Sequence, residues 1–198
     1  MRLLNYLNEM KFIRLPDEDQ IKLIKKDCKK YIRLTKKTGP FYRGLDEKPD
    51  RDEILIKDVR QDRQPLGTKP EAYIKLNNWL EKNGHTRRDK SVCVSTSKIR
   101  IQNFFGKAFK FFPIGNFDYT WIRSIDINMD DFTTDWNDRE VEYFFGSGNI
   151  AKTEKDFKSY FTTNKGIEKA HKNYYETWFN CKQYYCVNRE VNTKEIYK

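Results

Sequence analysis

"SVCVSTS" occupies residues 91–97, and its reading decides the fold class. Val92 and Val94 alternate with small residues, the period-two, β-branched pattern of a strand with one face in a core. Ser95 and Ser97 share the opposite face. Upstream the chain reads as helices and breaker-rich loops; downstream, strands dominate. "AFKFFPIG" (108–115) and "YTWIRSIDI" (119–127) read as strands, and "IRIQNFFG" (99–106) as a short helix or turn before them. "REVEYFF" (139–145) reads as a further strand, stopped by Gly146, Ser147 and Gly148. A helical stretch follows around 152–172, then the aromatic run "YYETWFNCKQYYCV" (174–187), a strand or hairpin.

Working upstream, residues 1–39 read as helical. Asp17, after Pro16, suits an N-cap, with Gln20 three residues on in a capping-box-like arrangement. Ile21, Ile24, Cys28, Tyr31, Ile32 and Thr35 then recur at three- and four-residue steps, an apolar stripe on a Lys-studded helix that Gly39-Pro40 ends. Residues 46–90 read as an insertion, of which 46–70 is rich in Asp, Arg, Lys and Pro and loop-like. Within it, Ile54, Leu55 and Ile56 form a short strand. Residues 71–83 form a helix with Ala72, Tyr73, Leu76, Trp79 and Leu80 on one side, closed by Asn83-Gly84. Helices first and mostly strands afterwards predict an α+β fold: an N-terminal helical segment (1–39) packed on a core domain (40–198).

Composition narrows the class. An aromatic content of 15% argues against disorder, because disordered chains lack the groups whose burial offsets ordering entropy. The net charge of +10 draws such a protein toward polyanions: nucleic acid, a nucleotide, or a partner seated on nucleic acid. An AT-rich coding sequence, which inflates Lys, Asn, Tyr, Phe and Ile together, accounts for the same excess without any role. Cys28, Cys93, Cys181 and Cys186, with His85 and His171, lack the paired spacing of a zinc site, so no metal is expected. Without dense cysteine spacing or a signal peptide, a reducing cytoplasm is expected. No apolar run approaches the ~20 residues of a membrane span, and a soluble protein without membrane partners is expected.

Three short stretches carry chemistry. In "REVEYFF", Glu140 and Glu142 project from one strand face about 6–7 Å apart, a spacing that suits general-base and electrostatic work on a cationic transition state. Alone the pair equally describes an exposed strand face. In "VSTS", hydroxyls of Ser95, Thr96 and Ser97 could hold a carboxylate in one rotamer, though Ser/Thr strands are common. In "FYRG" (41–44), Arg43 offers five fixed donors matched to phosphate oxygens, and Gly44 lets a ligand or backbone approach closely. A structural salt bridge would use the same arginine.

Taken in order, Arg43 of an aromatic-Arg-Gly, then Ser95-Thr96-Ser97, then Glu140-x-Glu142 with an aromatic pair behind it resembles the Arg-Ser-Glu class of mono-ADP-ribosyltransferases. The small bacteriophage members are the most similar in look. The resemblance spans roughly residues 40–146. The insertion before Ser95 and the "YFFGSG" after Glu142, where many members carry a Pro-Gly-like turn, depart from the pattern.

The resemblance implies a split β-sheet sandwich and cleavage of NAD+ between nicotinamide and ribose, with ADP-ribose passing to a nucleophile. It implies Glu142 as the central carboxylate on the ribose 2′-hydroxyl. It places Arg43 and Gly44 at the phosphates, Ser95 orienting Glu142 beside nicotinamide, and Thr96 and Ser97 in support. Glu140 goes with arginine acceptors, whose guanidinium is otherwise too basic to attack. Phe132 and Trp136 fall in the loop where members carry a substrate-recognising aromatic; loop anchoring explains them as well. Phe104 and Phe105 suit core packing or nicotinamide stacking. NAD+ and a host acceptor protein, or nucleic acid, are the expected partners of a monomer in the host cytoplasm. A Ser/His/Asp triad finds no support in the spacing of either histidine.

A different class of protein remains open on the sequence: a non-enzymatic basic module gripping nucleic acid by phosphate contacts and stacking, with "RQDRQPLG" (60–67) and "HTRRDK" (85–90) as basic loops.

Overall fold

Two antiparallel sheets and several helices make a mixed α and β architecture in the computed structural model, which describes residues 10–46, 50–61, 63, 70–123, 143–145, 149–151 and 154–198. The first sheet has five strands: β1 (Met10–Arg14), β3 (Glu53–Asp58), β11 (Gln183–Val187), β5 (Lys107–Pro113) and β2 (Tyr42–Leu45), in that spatial order. The second has four: β4 (Val92–Val94), β10 (Thr177–Cys181), β6 (Phe117–Ile122) and β9 (Phe161–Thr163). A further pair joins β7 (Tyr143–Phe145) to β8 (Asn149–Ala151).

The four-stranded sheet is apolar on both faces, and the pleat sorts its residues. Val92, Val94, Phe117, Tyr119, Trp121 and Phe179 enter the large core shared with the five-stranded sheet. Cys93, Ile122 and Trp178 enter a second cluster with Leu76, Trp79, Leu80, Phe157 and Phe161. That second cluster is the underside of α3 (Pro70–Lys82), whose Leu76 and Leu80 are fully buried one helical turn apart. The expected helix over 71–83 is therefore present, and the reason is its amphipathic spacing.

Helices α1 (Asp17–Asp27) and α2 (Lys29–Leu34) follow each other with a near-continuous ladder: Cys28 N donates to Ile24 O at 2.9 Å and Ile32 N to Cys28 O at 3.0 Å. Their stripe of Ile24, Cys28, Tyr31 and Thr35 is fully buried, as its periodicity predicts. Tyr31 sits edge-on to Phe111, Phe112, Phe117 and Phe179, so one side chain touches both sheets.

Four expectations need correction. Residues 1–39 are not helical throughout: Met10–Arg14 is an edge strand paired with β3, because the residue before Pro16 is driven to extended backbone and no helix can run through it. Pro16, not Asp17, is the N-cap, and Gln20 turns inward to donate to Leu15 O at 2.8 Å and Arg51 O at 3.0 Å. The 152–172 stretch is α5 (Glu154–Ser159) and α6 (Ile167–Lys172) interrupted by β9. The aromatic run is no hairpin. Its strands β10 and β11 belong to different sheets, with Lys182 between them.

Described elements of the 46–90 stretch, whose 46–70 part was expected to be loop-like around a short strand, join the core. Its β3 lies between β1 and β11, and its α3 covers the four-stranded sheet.

Candidate functional site

Besides the direct crossing of the chain from β10 to β11, the two sheets are joined at their edges. Tyr42 N donates to Ser95 O at 2.8 Å and Ser95 N returns to Tyr42 O at 3.1 Å, an antiparallel bridge between β2 and the end of β4. This brings the "FYRG" and "VSTS" backbones into direct contact. Gly44 is buried opposite Ala108 of β5 in a regular strand.

The side chains of the two motifs end among different partners, because successive strand residues leave on opposite faces and Arg43 follows the bridging Tyr42. Arg43 Nη1 donates to Cys93 O at 2.9 Å. The buried Ser95 hydroxyl lies 3.4 Å from Tyr174 O and accepts from Ser97 N at 3.2 Å. Thr96 Oγ1 donates to His171 O at 2.8 Å. These hydroxyls staple the exit of β4 to the turn between α6 and β10. Ser97 has already left the strand and its carbonyl accepts from Ile101 N at 3.1 Å, opening α4 (Lys98–Phe105). Glu140, Glu142, Phe132 and Trp136 lie outside the described residues, as do the side chains of Phe104 and Phe105.

Sequence reasoning missed a carboxylate beside this junction. Glu176, just before β10, accepts from Arg88 Nη2 at 3.2 Å and from Trp178 Nε1. Its side chain is 17% exposed, as is that of Arg88. Burial works to raise the Glu176 carboxyl, yet Arg88, the Trp178 and Cys93 side chains and Arg63 together hold it below the usual range. The Arg88 guanidinium also lies over the Trp178 ring at 5.1 Å. Arg63 is affected chiefly by burial, with Arg43 and Arg88 adding like charge, and all three lower its pKa. Arg43, Arg63 and Arg88 therefore share one neighbourhood with Glu176 and the Cys93 thiol, which burial pushes up to about 12. The signal in the sequence is the pair Arg87-Arg88, which equally suits a basic loop for nucleic acid.

The two arginines of that loop are engaged within the fold. Arg87 is clamped by Asp89 at 2.6 Å and Glu81 at 2.8 Å, and Arg88 by Glu176, so "HTRRDK" ties α3 to the sheet. Asn77, fully buried, completes the tie by accepting from Arg88 N at 2.7 Å.

Tyr174 is a second residue the sequence hid inside an aromatic run. Its φ of 58° is left-handed, unusual for a bulky residue, and it is 54% exposed while its carbonyl faces the Ser95 hydroxyl. Neighbouring Tyr175 stacks on Trp121 with ring centroids 5.5 Å apart.

Among the described residues no group of His, Cys, Asp and Glu could hold a metal ion, and no helix is long and apolar enough to cross a membrane. Compared with family models, curated proteins and solved structures, the chain matches none.

Proposed function

We propose that the chain is an NAD-dependent mono-ADP-ribosyltransferase, a phage effector that modifies arginine on a host protein. The observation that carries the reading is the Tyr42–Ser95 bridge: the aromatic-Arg-Gly and Ser-Thr-Ser motifs, distant in sequence, meet as hydrogen-bonded neighbours where two antiparallel sheets join. That arrangement agrees with the split-sheet sandwich the motif order implies. The company of Arg43 also supports it, since Arg63 adds positive charge suited to a pyrophosphate.

In this reading the bond from ribose C1′ to nicotinamide breaks, and its electron pair leaves on nicotinamide. Glu142 faces the developing cation on the sugar. A guanidinium nitrogen of the acceptor bonds C1′, and its proton passes to Glu140. Ser95 is held by the turn at Tyr174, so its part is to shape the pocket wall rather than to react.

Incubating the purified chain with NAD+ tests the reading. The expected result is nicotinamide release and transfer of label to host protein that protease, not nuclease, destroys. Glu142→Gln should cut release by about 100-fold or more with folding intact. A wild-type chain that neither releases nicotinamide nor labels a host lysate overturns it.

A further inference from the structure

The tandem α1–α2 carries charge in a way the transferase reading does not use. Between residues 22 and 37 stand Lys22, Lys25, Lys26, Lys29, Lys30, Arg33, Lys36 and Lys37 against the single carboxylate Asp27, a net +7 of the chain's +10. Asp27 is itself engaged, accepting from Tyr185 OH at 2.7 Å. Lys22 pairs with Asp19, Lys37 with Glu168, and Lys30 lies over the Phe117 ring and bonds its carbonyl. The other five are exposed, and none makes an ion pair among the described residues.

Of those five, Lys25, Lys26, Lys29 and Arg33 fall within an arc of about 100° at 3.6 residues per turn, and Lys36 stands in the turn that follows α2. The buried stripe of Ile24, Cys28, Tyr31 and Thr35 occupies the opposite side. The four on the helices extend over roughly 12 Å at 1.5 Å per residue, and with Lys36 beyond them they suffice to lie along several phosphates of a duplex.

The partner follows from what this face lacks. A membrane-surface helix buries an apolar side among lipid chains. Here the apolar side is already consumed by the core, and the exposed large hydrophobics Phe12, Ile74, Ile99 and Tyr174 all lie on other elements. The outward face offers charge alone. We propose that it is a docking surface for the phosphate backbone of nucleic acid, bound without sequence preference. The inference is independent of the transferase reading.

The test measures binding of the full chain to a labelled DNA duplex of about two helical turns as salt is raised. For five phosphate contacts, log Kobs against log salt should fall with a slope of about −4 to −5. Neutralising three cations (Lys25→Gln, Lys29→Gln, Lys36→Gln) should shrink that slope by nearly three and leave nicotinamide release unchanged. Neutralising Lys82, Lys155 and Lys158, which sit on the helices of the second cluster, should leave the slope near the wild-type value. Loss of slope equal in both triples assigns binding to net charge and overturns the proposal. So does an unaltered slope in the first triple, absence of duplex binding, or preferential binding to vesicles of phosphatidylcholine with phosphatidylserine. The transferase reading fails on a different readout, the absence of nicotinamide release.

Discussion

Arg88 and Glu176 stand 88 residues apart in the chain and meet at 3.2 Å, each side chain 17% exposed. The pair joins the α3–β4 connection to the start of β10. Ion pairs at an exposed surface contribute little, but a largely buried one leaves an expensive orphan when one partner is removed.

Glu176→Ala should therefore destabilise the protein by roughly 3 kcal/mol, since Arg88 stays behind without its carboxylate. The double change Glu176→Ala with Arg88→Met should recover part of that loss, because no charge is then stranded. Urea unfolding of the four proteins in the cycle measures the coupling. A double variant as unstable as the sum of the singles would remove the pair from the account.

Arg43 should behave differently. Its bond to Cys93 O makes a contribution of about 1 kcal/mol to stability. If it also holds the phosphates of NAD+, Arg43→Ala should lower kcat/KM for nicotinamide release by about 10- to 100-fold. Arg43→Lys should restore little, since an ammonium cannot reproduce the planar fork. Steady-state kinetics beside thermal melts separates the two effects.

Gly106 has φ +81°, and a Cβ there would lie 2.5 Å from Leu45 O, a backbone atom that cannot swing away. Gly106→Ala should cost more than 2 kcal/mol, from left-handed strain together with forced separation of α4 from β2. Gly39, at φ +82° with open space around its Cβ, isolates the strain alone, and Gly39→Ala should cost about 1 kcal/mol. Comparing denaturation midpoints tests the difference.

His85 and His171 should make the fold acid-sensitive. Burial lowers the pKa of both from the ordinary 6.5, with Lys158 adding to the effect at His85 and the Pro40 carbonyl partly opposing it at His171. A base with a depressed folded pKa takes up its proton first in the unfolded chain. Stability is complete above 6.5 and drains as pH falls from there through the folded value. His85 Nδ1 lies 2.8 Å from Thr163 Oγ1, and the ring stacks on Trp79 at 5.8 Å. His85→Gln should flatten that part of the profile, measured as urea midpoint against pH.

The elements that local pattern specifies were open to reading from residue spacing. The buried stripe of α1–α2 and the face of α3 declare themselves through a period of 3.6, and β4, β5 and β6 through short runs of β-branched and aromatic residues, signals that each segment carries by itself. The strand at Met10–Arg14 escaped because its Phe12 is 47% exposed on a sheet edge, where alternation is weakly enforced. The 46–90 stretch read as an insertion because Pro and charge crowd around β3, while burial of Ile54 and Leu55 depends on strands from both ends of the chain.

Sequence alone determined that this chain is a mixed α and β protein with an aromatic core, a basic helix face, and Arg, Ser and Glu motifs in a recognisable order. Tertiary structure decided that β10 and β11 part into different sheets, that Tyr42 meets Ser95, and that Arg88 belongs to Glu176 rather than to solvent. The division has a physical cause. Periodicity arises from neighbours along the backbone, whereas strand partners and buried ion pairs are chosen by free energies summed over residues far apart in the chain, which no window of sequence contains.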